Sequence, residues 1–206
     1  MKAAIIAKKP HTMSHVDAAA LALVGLTALV SIEDTLKLKS GETILIQGGA
    51  GGVAAFAIQL AKHIGARVIT TASAVNHDYV KSLGADQIID YRKDDFTKIV
   101  SGCDAVFDTV GGDVTPKSFA VLRPGGRAAF IASGAKAPPS PRADVTSLRP
   151  AVGRDRPHLE RICELVRVGA VKAPEVQLFS LQEARKAHEL SQSRHLRGKL
   201  VFKVVP

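Results

Sequence analysis

The sequence predicts an α/β fold built on a doubly wound parallel sheet. Of its 206 residues, 46% are hydrophobic and only 4% are aromatic, so the core must consist of Ala, Val, Ile and Leu, which favours tightly packed α/β layers. Short apolar, β-rich runs alternate with segments of helical periodicity. Helical connections of this length require crossovers, so we expect parallel strands with helices on both faces.

The first predicted element is a buried helix near the N-terminus. Ser14 and Asp17 form an S-x-x-D capping box, and apolar residues follow at helical spacing. The most apolar stretch, Ala18 to Val30, has about 13 residues, fewer than the roughly 20 that span a bilayer. With no signal peptide ahead of it, we expect a cytoplasmic protein without a membrane segment.

A strand, a glycine-rich turn and a helix follow. Thr43 to Gln47 is a short β-rich run that leads directly into the glycine-rich segment Gly48 to Gly52. Apolar residues then recur on one helical face from Val53 to Ile64, and Gly65 is placed to end that helix. This unit is the first half of a parallel β-α-β arrangement.

The same alternation continues through the middle of the chain. The predicted strands are Arg67 to Thr71, Gln87 to Asp90, Ala105 to Asp108 and Arg127 to Ile131, and the predicted helices are His77 to Leu83 and Asp113 to Leu122. Arg123 to Gly126 is predicted to be a turn that opens the last of these strands. From Ser133 to Pro157 the pattern dissolves, which indicates a long loop or a domain transition.

Regular structure returns in the C-terminal part as helix, strand, helix and strand. The first helix should open at Pro157 and close at Gly169. The other three elements are a strand from Val176 to Phe179, a helix capped by Ser180 and Glu183 that reaches about Leu190, and a strand from Lys199 to Val205.

The glycine-rich turn has the spacing of a dinucleotide-binding fingerprint. Gly49, Gly51 and Ala54 give G-x-G-x-x-A between a strand and a helix, the context that this fingerprint requires. We expect free N–H groups of Gly51, Gly52 and Val53, together with the helix dipole, to hold phosphates. The alternative is a tight glycine turn without a ligand.

The end of the second strand bears on the choice of cofactor. An acid that binds the ribose 2′-hydroxyl of NAD is expected about 20 residues after the first glycine, but here the chain reads Thr70 to Ser73 without one. NADP is therefore favoured over NAD, with Ser73 donating to the 2′-phosphate and Arg92 supplying positive charge. Alternatively, Ser73 is an ordinary turn or cap hydroxyl and Arg92 a solvated charge.

Further motifs make a resemblance specific. They are Leu45 to Val53, Leu83 to Asp86 with Ile89 to Tyr91, Phe107 to Gly112, Leu122 to Gly126, and His195 to Val201. Together they resemble the zinc-independent quinone oxidoreductase branch of the medium-chain dehydrogenase/reductase family, over the chain from about Lys9 to its end. Ala54 is a departure, since many members have Gly there. The family's N-terminal GroES-like domain is absent from this sequence.

The resemblance implies a Rossmann domain, a set of cofactor-binding residues and a division of the chain. We expect residues 1–14 to be a lead-in, 15–156 a dinucleotide-binding domain, and 157–206 the C-terminal part of an incomplete catalytic domain. Thr27 would approach the nicotinamide. Arg197 and Lys199 would either touch the cofactor or merely start a strand. The remaining implied contacts are Gly49, Ala50, Gly51, Gly52 and Val53 on the pyrophosphate, Ser73 and Tyr91 beside the 2′-phosphate, and Thr109, Val110, Ile131, Ala132 and Ser133 along the nicotinamide arm.

Two functions follow as hypotheses. The first is an NADPH-dependent reductase of quinones or α,β-unsaturated carbonyls, with a small electrophile as substrate. The second is an NADPH-binding module without turnover, because the substrate domain is missing. We identify no catalytic acid; the proton donor would be water, the cofactor ribose or a group of the missing domain.

Other classes of function fit the sequence poorly. The net charge of +9 comes without a run of basic residues, so we do not expect a nucleic-acid partner. Cys103 and Cys163 form no CxxC, and His188 and His195 have no matching ligand cluster, so we expect neither a disulfide nor a metal site. Apolar residues in the two C-terminal strands predict self-association as a homodimer, unless residues 3–7 fold back over them.

Overall fold

The protein is built around a six-stranded parallel sheet. The structure, a computed structural model, describes residues 3–193 and 195–204. The strands are β1 (Thr43–Ile46), β2 (Arg67–Thr71), β3 (Gln87–Ile89), β4 (Cys103–Asp108), β5 (Leu122–Phe130) and β6 (Thr146–Leu148). Their order is β3-β2-β1-β4-β5-β6, and every neighbouring pair is parallel. The predicted doubly wound parallel sheet is confirmed.

In the part of the chain that the structure describes, six α-helices accompany the sheet. They are α1 (His15–Leu29), α2 (Gly52–Ile64), α3 (His77–Ser82), α4 (Val114–Ala120), α5 (Arg156–Arg167) and α6 (Ala184–Gln192). The hydroxyl of Ser14 caps α1 by accepting from the backbone N–H of Asp17 at 3.0 Å, as predicted. Gly65 ends α2 at a φ of +93°, a left-handed conformation that favours glycine.

The core consists of two buried clusters on opposite faces of the sheet. Along β1, Ile44 and Ile46 belong to one cluster and Leu45 to the other, because side chains alternate across a strand. The first cluster includes Phe56 of α2, and the second includes Phe119 of α4. Both faces are therefore covered by helices, which explains why β1 is apolar and buried from Ile44 to Ile46.

The N-terminal helix is longer than its apolar stretch indicates. A π-helical segment, Val30–Thr35, continues α1, so the helical run from His15 to Thr35 has 21 residues, and its most apolar 18-residue window has a mean hydropathy of 1.8. By length and composition alone it could cross a membrane, so the short apolar stretch does not decide the matter, and the absence of a membrane segment stays a prediction. Within the structure, 56% of its most apolar window is buried, as in the core helix of a globular domain.

Two predictions for the middle of the chain are wrong. Arg123 to Gly126 is not a turn before the strand but part of β5. In this part of β5 the register against β4 shifts, and Gly125 has a φ of +75°. The predicted loop from Ser133 to Pro157 contains β6, whose three residues are too few to show alternation. The Gly125 N–H donates to the Asp144 carbonyl at 2.7 Å and aligns this segment with β5.

The C-terminal elements follow the predicted order. Strands β7 (Val176–Ser180) and β8 (Lys199–Lys203) form a separate two-stranded parallel sheet, and Ser180 and Glu183 form the expected capping box before α6. Val205, predicted to end the last strand, lies outside the described residues. Ile162 and Leu165 of α5 belong to the same core cluster as α1 and α2. The boundary between residues 156 and 157 stays a prediction.

Candidate dinucleotide-binding site

Most of the predicted site residues lie at one edge of the sheet. Parallel strands end at a common edge, and β3, β2, β1, β4 and β5 are consecutive neighbours. Each of these strands is followed at its carboxyl end by predicted site residues. They are the glycine turn after β1, Ser73 after β2, Tyr91 and Arg92 after β3, Thr109 and Val110 after β4, and Ile131, Ala132 and Ser133 after β5. The order of the strands reverses between β1 and β4, the position where open α/β sheets bind ligands.

The glycine turn is anchored to the end of β2. Gly48, at a φ of +73°, donates its N–H to the Thr71 hydroxyl at 3.0 Å, and Gly49 donates to the Thr71 carbonyl at 2.9 Å. Glycine is required at position 49 for packing, since a Cβ there would lie 2.3 Å from the Thr70 hydroxyl oxygen. The turn therefore sits directly against the second strand, as the first glycine of the fingerprint allows.

The open side of the turn lies at Gly51 and the first residues of α2. A Cβ on Gly51 would meet only the Gly48 carbonyl oxygen, at an ordinary 3.4 Å. The expectation of a free Gly51 N–H is wrong, because this group donates to the Gly48 carbonyl at 2.9 Å and closes the turn. The N–H groups of Gly52 and Val53 lie in the first turn of α2, and neither has a hydrogen-bond acceptor among the described residues. These two amides remain as anion donors.

The ends of β2 and β3 form the adjacent part of the edge. Ser73 is buried, and its hydroxyl oxygen accepts from the Asn76 side-chain amide at 3.1 Å. Tyr91 is half-exposed, with the Arg92 guanidinium 6.0 Å from the centre of its ring. The Arg92 backbone N–H donates to the Asp90 carboxylate at 3.1 Å, which fixes the turn after β3. A hydroxyl, an aromatic ring and a cation thus stand on neighbouring strand ends.

The loop after β4 is organised by a buried carboxylate. One Asp108 oxygen accepts from the N–H groups of Val110 and Gly111 at 2.8 and 2.9 Å, and the other accepts from the Thr115 hydroxyl at 2.8 Å. Asp108 therefore orders this loop. Thr109 donates its hydroxyl to the Gln47 carbonyl at 2.7 Å, which ties the loop to the glycine turn.

The residues after β5 complete the edge. The Ile131 N–H donates to the Asp108 carbonyl at 3.2 Å, and the Ser133 hydroxyl donates to the Lys136 carbonyl at 3.0 Å. A Cβ on Gly111 would lie 2.7 Å from the Ala132 carbonyl oxygen. The loops after β4 and β5 are therefore in close contact.

Two predicted site residues stand on elements other than these strand ends, and their contact with a cofactor stays a prediction. The Thr27 hydroxyl is on α1 and donates to the Leu23 carbonyl of the same helix at 3.0 Å. Arg197 donates to the Glu175 carboxylate at 2.7 Å, and its guanidinium lies 5.5 Å from the centre of the Tyr79 ring. Arg197 therefore has a clear structural role in anchoring the segment before β8.

The C-terminal segment also borders the glycine turn. Lys199 packs its aliphatic chain against Gly52, where an added Cβ would lie 2.8 Å from the lysine Cδ. A cavity of about 440 Å³ lies beside this contact, lined on one side by Val24 and Val53 and on the other by His188 and Leu196. The cavity joins the start of α2 to α6 and β8.

Neither cysteine has the properties of a nucleophile. Burial, with the nearby Asp104 carboxylate, raises the pKa of the Cys103 thiol to about 11. Burial also raises the pKa of Cys163, whose thiol faces the Lys8 carbonyl. Among residues 3–193 and 195–204, no group of three or more His, Cys, Asp or Glu side chains could hold a metal ion.

Sequence reasoning missed two residues of this site. Gln47 is a polar side chain at the end of an apolar strand and is 1% exposed beneath the glycine turn. Gly198, at a φ of +69°, donates its N–H to the Ala50 carbonyl at 2.9 Å. The break in apolar character was a usable signal for Gln47, whereas the contact of Gly198 is not visible in local sequence.

The comparisons with known proteins agree with this geometry. The model of the zinc-binding dehydrogenase family matches residues 83–202. A 2-methylene-furan-3-one reductase of Solanum lycopersicum is 35% identical over 98% of this chain and 50% of its own length. The quinone oxidoreductase structure from Coxiella burnetii has a TM-score of 0.86 and 37% identity, covering 97% of this chain and 64% of that chain. The Escherichia coli quinone oxidoreductase complexed with NADPH has a TM-score of 0.85 and 26% identity, covering 96% of this chain and 68% of that one.

The fold, the glycine fingerprint and these matches define the class of protein. The chain belongs to the zinc-binding dehydrogenase family, within the quinone oxidoreductase branch of the medium-chain dehydrogenases/reductases. It spans about half the length of the curated relative reported above. The names of its relatives support an oxidoreductase role.

Proposed function

We propose that this chain binds NADPH at the carboxyl edge of the sheet and serves in hydride transfer to a quinone or an α,β-unsaturated carbonyl. One observation carries the proposal. At the strand-order reversal, the turn between β1 and α2 leaves open space at Gly51 beside the N–H groups of Gly52 and Val53. A pyrophosphate matches both the space and the donors. The names of the tomato and bacterial relatives support the substrate classes.

The residues present fit a nicotinamide dinucleotide. A side chain on Gly51 would fill the space that the turn leaves open, and buried Gln47 has an amide Nε2 without an acceptor among the described residues. Both features suit a site that a polar ligand completes. Gly52 and Val53 would hold the pyrophosphate, Ser73, Tyr91 and Arg92 would border a 2′-phosphate, and Thr109 and Val110 would face the nicotinamide arm.

The chain's own groups would bind and orient rather than transfer protons. NADPH supplies the hydride, and reduction of an enone to the saturated carbonyl takes up one proton in addition. Among the described side chains at this edge, the carboxylates of Asp90 and Asp108 accept backbone N–H donors of their own loops. They are thus committed to loop geometry, and the proton comes from water, the cofactor ribose or a group outside these residues.

The second candidate function is an NADPH-binding module without turnover. The observation that favours it is that the Asp90 and Asp108 carboxylates at this edge are engaged by their own loops, so neither is free to transfer a proton. Steady-state NADPH oxidation with a panel of quinones and enones separates the two functions. Turnover by the 206-residue chain supports the reductase, and tight NADPH binding without turnover supports the binding module.

A further inference from the structure

Gln47 occupies an unusual position at the start of the glycine turn. Its side chain is almost fully buried, and its amide oxygen accepts from the Thr71 hydroxyl at 2.7 Å. The amide Nε2 has no hydrogen-bond partner among the described residues. A buried donor without an acceptor costs on the order of 1–3 kcal/mol and calls for an explanation.

A short relay connects Gln47 to the backbone of the turn. The Thr71 hydroxyl donates to Gln47, and its oxygen accepts the N–H of Gly48 at 3.0 Å. Gly48 is the first residue of the turn and is held at a φ of +73°. Gln47 therefore fixes the direction of the Thr71 hydroxyl, and Thr71 fixes the Gly48 amide.

The backbone of Gln47 is held from the opposite side. Its N–H donates to the Phe107 carbonyl at 3.0 Å, and its carbonyl accepts from the Thr109 hydroxyl at 2.7 Å. Gln47 thus bonds to both β2 and β4, the two neighbours of β1 at the strand-order reversal. The backbone and the amide oxygen of Gln47 are therefore hydrogen-bonded, whereas its Nε2 has no acceptor among the described residues.

We propose that Gln47 is a positioning residue of the dinucleotide site. It acts through Thr71 on the glycine turn, and its Nε2 donates to an acceptor oxygen that arrives with the dinucleotide, either a ligand oxygen or a water that the ligand holds. This inference rests on the proposed function. The Nε2 donor lacks an acceptor without ligand because its partner arrives with the dinucleotide. The ligand-free protein tolerates the cost of this unpaired donor, as binding sites commonly do.

Glu in place of Gln47 separates the donor from the relay. Gln47→Glu keeps an oxygen that accepts from Thr71 but loses the N–H donor whenever the carboxyl is ionised. When the buried carboxyl is protonated, its O–H restores a donor. The affinity of Q47E for NADPH should therefore depend on pH relative to the unaltered chain, which a purely structural role does not produce.

The experiment is a calorimetric titration of the full chain with NADPH at pH 5.5 and pH 8. We expect Q47E to bind at least tenfold more weakly than the unaltered chain at pH 8 and within about threefold of it at pH 5.5. Gln47→Met, which lacks both donor and acceptor, should be about tenfold weaker at both pH values. Gln192→Glu, an exposed residue of α6, is the matched control and should bind like the unaltered chain.

The outcomes distinguish this inference from the proposed function. If both variants bind like the unaltered chain, or if Q47E loses affinity equally at both pH values, the role of Gln47 is overturned and the proposed function stands. An unaltered chain that does not bind NADPH overturns both. If Q47E does not fold, Q47M decides, since its binding at full affinity contradicts the proposal.

Discussion

The N–H of Gly198 donates to the carbonyl of Ala50 at 2.9 Å, so the C-terminal segment is bonded to the middle of the glycine turn. Glu175 stands behind this contact, because a Cβ on Gly198 would lie 1.9 Å from the Glu175 carbonyl oxygen. The C-terminal strand pair therefore supports the site from outside the sheet.

The first prediction follows from this contact. Gly198→Ala should lower the unfolding midpoint and weaken NADPH binding together, because the left-handed φ of +69° and the Glu175 carbonyl both exclude a side chain. Urea denaturation and calorimetry measure the two effects. Gly153→Ala is the control, since a Cβ there has only the Asp155 carboxylate at 3.6 Å. A G198A variant with unchanged stability would contradict the proposed support of the glycine turn by the C-terminal segment.

The second prediction contrasts two glycines of the fingerprint. Gly49→Ala should destabilise the fold by about 1–3 kcal/mol, because its Cβ would overlap the Thr70 hydroxyl, which donates to the Ile46 carbonyl. Gly51→Val should fold normally, since its φ of −73° and open surroundings suit a β-branched residue, yet lose NADPH binding. Urea denaturation and ligand titration of both variants test this contrast. A folded G51V chain that binds normally would count against the site.

The third prediction concerns the choice of cofactor. Ser73→Asp should reverse a preference for NADPH into one for NADH, because a carboxylate at the end of β2 repels the 2′-phosphate and suits the free 2′-hydroxyl. Ser101→Asp, exposed before the start of β4 at the other edge of the sheet, adds the same charge as a control. The ratio of the two dissociation constants is the readout, and an unchanged ratio in S73D would remove Ser73 from the site.

The fourth prediction is a pH dependence of stability at the start of α5. Hydrogen bonds to the Asp155 and Asp34 carboxylates, at 2.7 and 2.8 Å, raise the pKa of His158 above its usual value. The bonds of protonated His158 therefore stabilise the fold fully below the pKa of about 6.5 that histidine has in the unfolded chain. This stabilisation is lost as the pH rises through the higher pKa of His158 in the folded protein.

Thermal unfolding of His158→Gln checks this sign. The difference in Tm between the unaltered chain and H158Q should be larger at pH 6 than at pH 9, whereas His63→Gln, exposed on α2, should show no such trend. A difference that grows with pH would refute the assignment.

The fifth prediction is the homodimer. Leu178 of β7 is 52% exposed and Val204 after β8 is 67% exposed, on a two-stranded sheet with open edges. We expect light scattering at micromolar concentration to report twice the chain mass of 21.7 kDa. A stable mass of 21.7 kDa would eliminate the dimer.

The sequence was most informative where local patterns decide the structure. The caps at Ser14 and Ser180, the glycine stop of α2 and the parallel strands were all predictable, because short-range chemistry specifies them. The strand β6 was not, since three residues held by the Asp144 contact to Gly125 leave no periodicity.

In the candidate site, too, only the features that local sequence specifies were predictable. The glycine spacing predicted the turn, but the bond that occupies the Gly51 N–H depends on the detailed path of the backbone. The structural role of Arg197 depends on Glu175 and Tyr79, which are distant in sequence. Contacts of this kind arise from tertiary packing and have no local signature.

The most direct test of the central claim is a calorimetric titration of the unaltered chain with NADPH and, separately, with NADH. We expect one NADPH bound per chain, at least several-fold more tightly than NADH, because the end of β2 carries Ser73 where NAD recognition uses an acid. Equal affinities, or no binding of either dinucleotide, would contradict it.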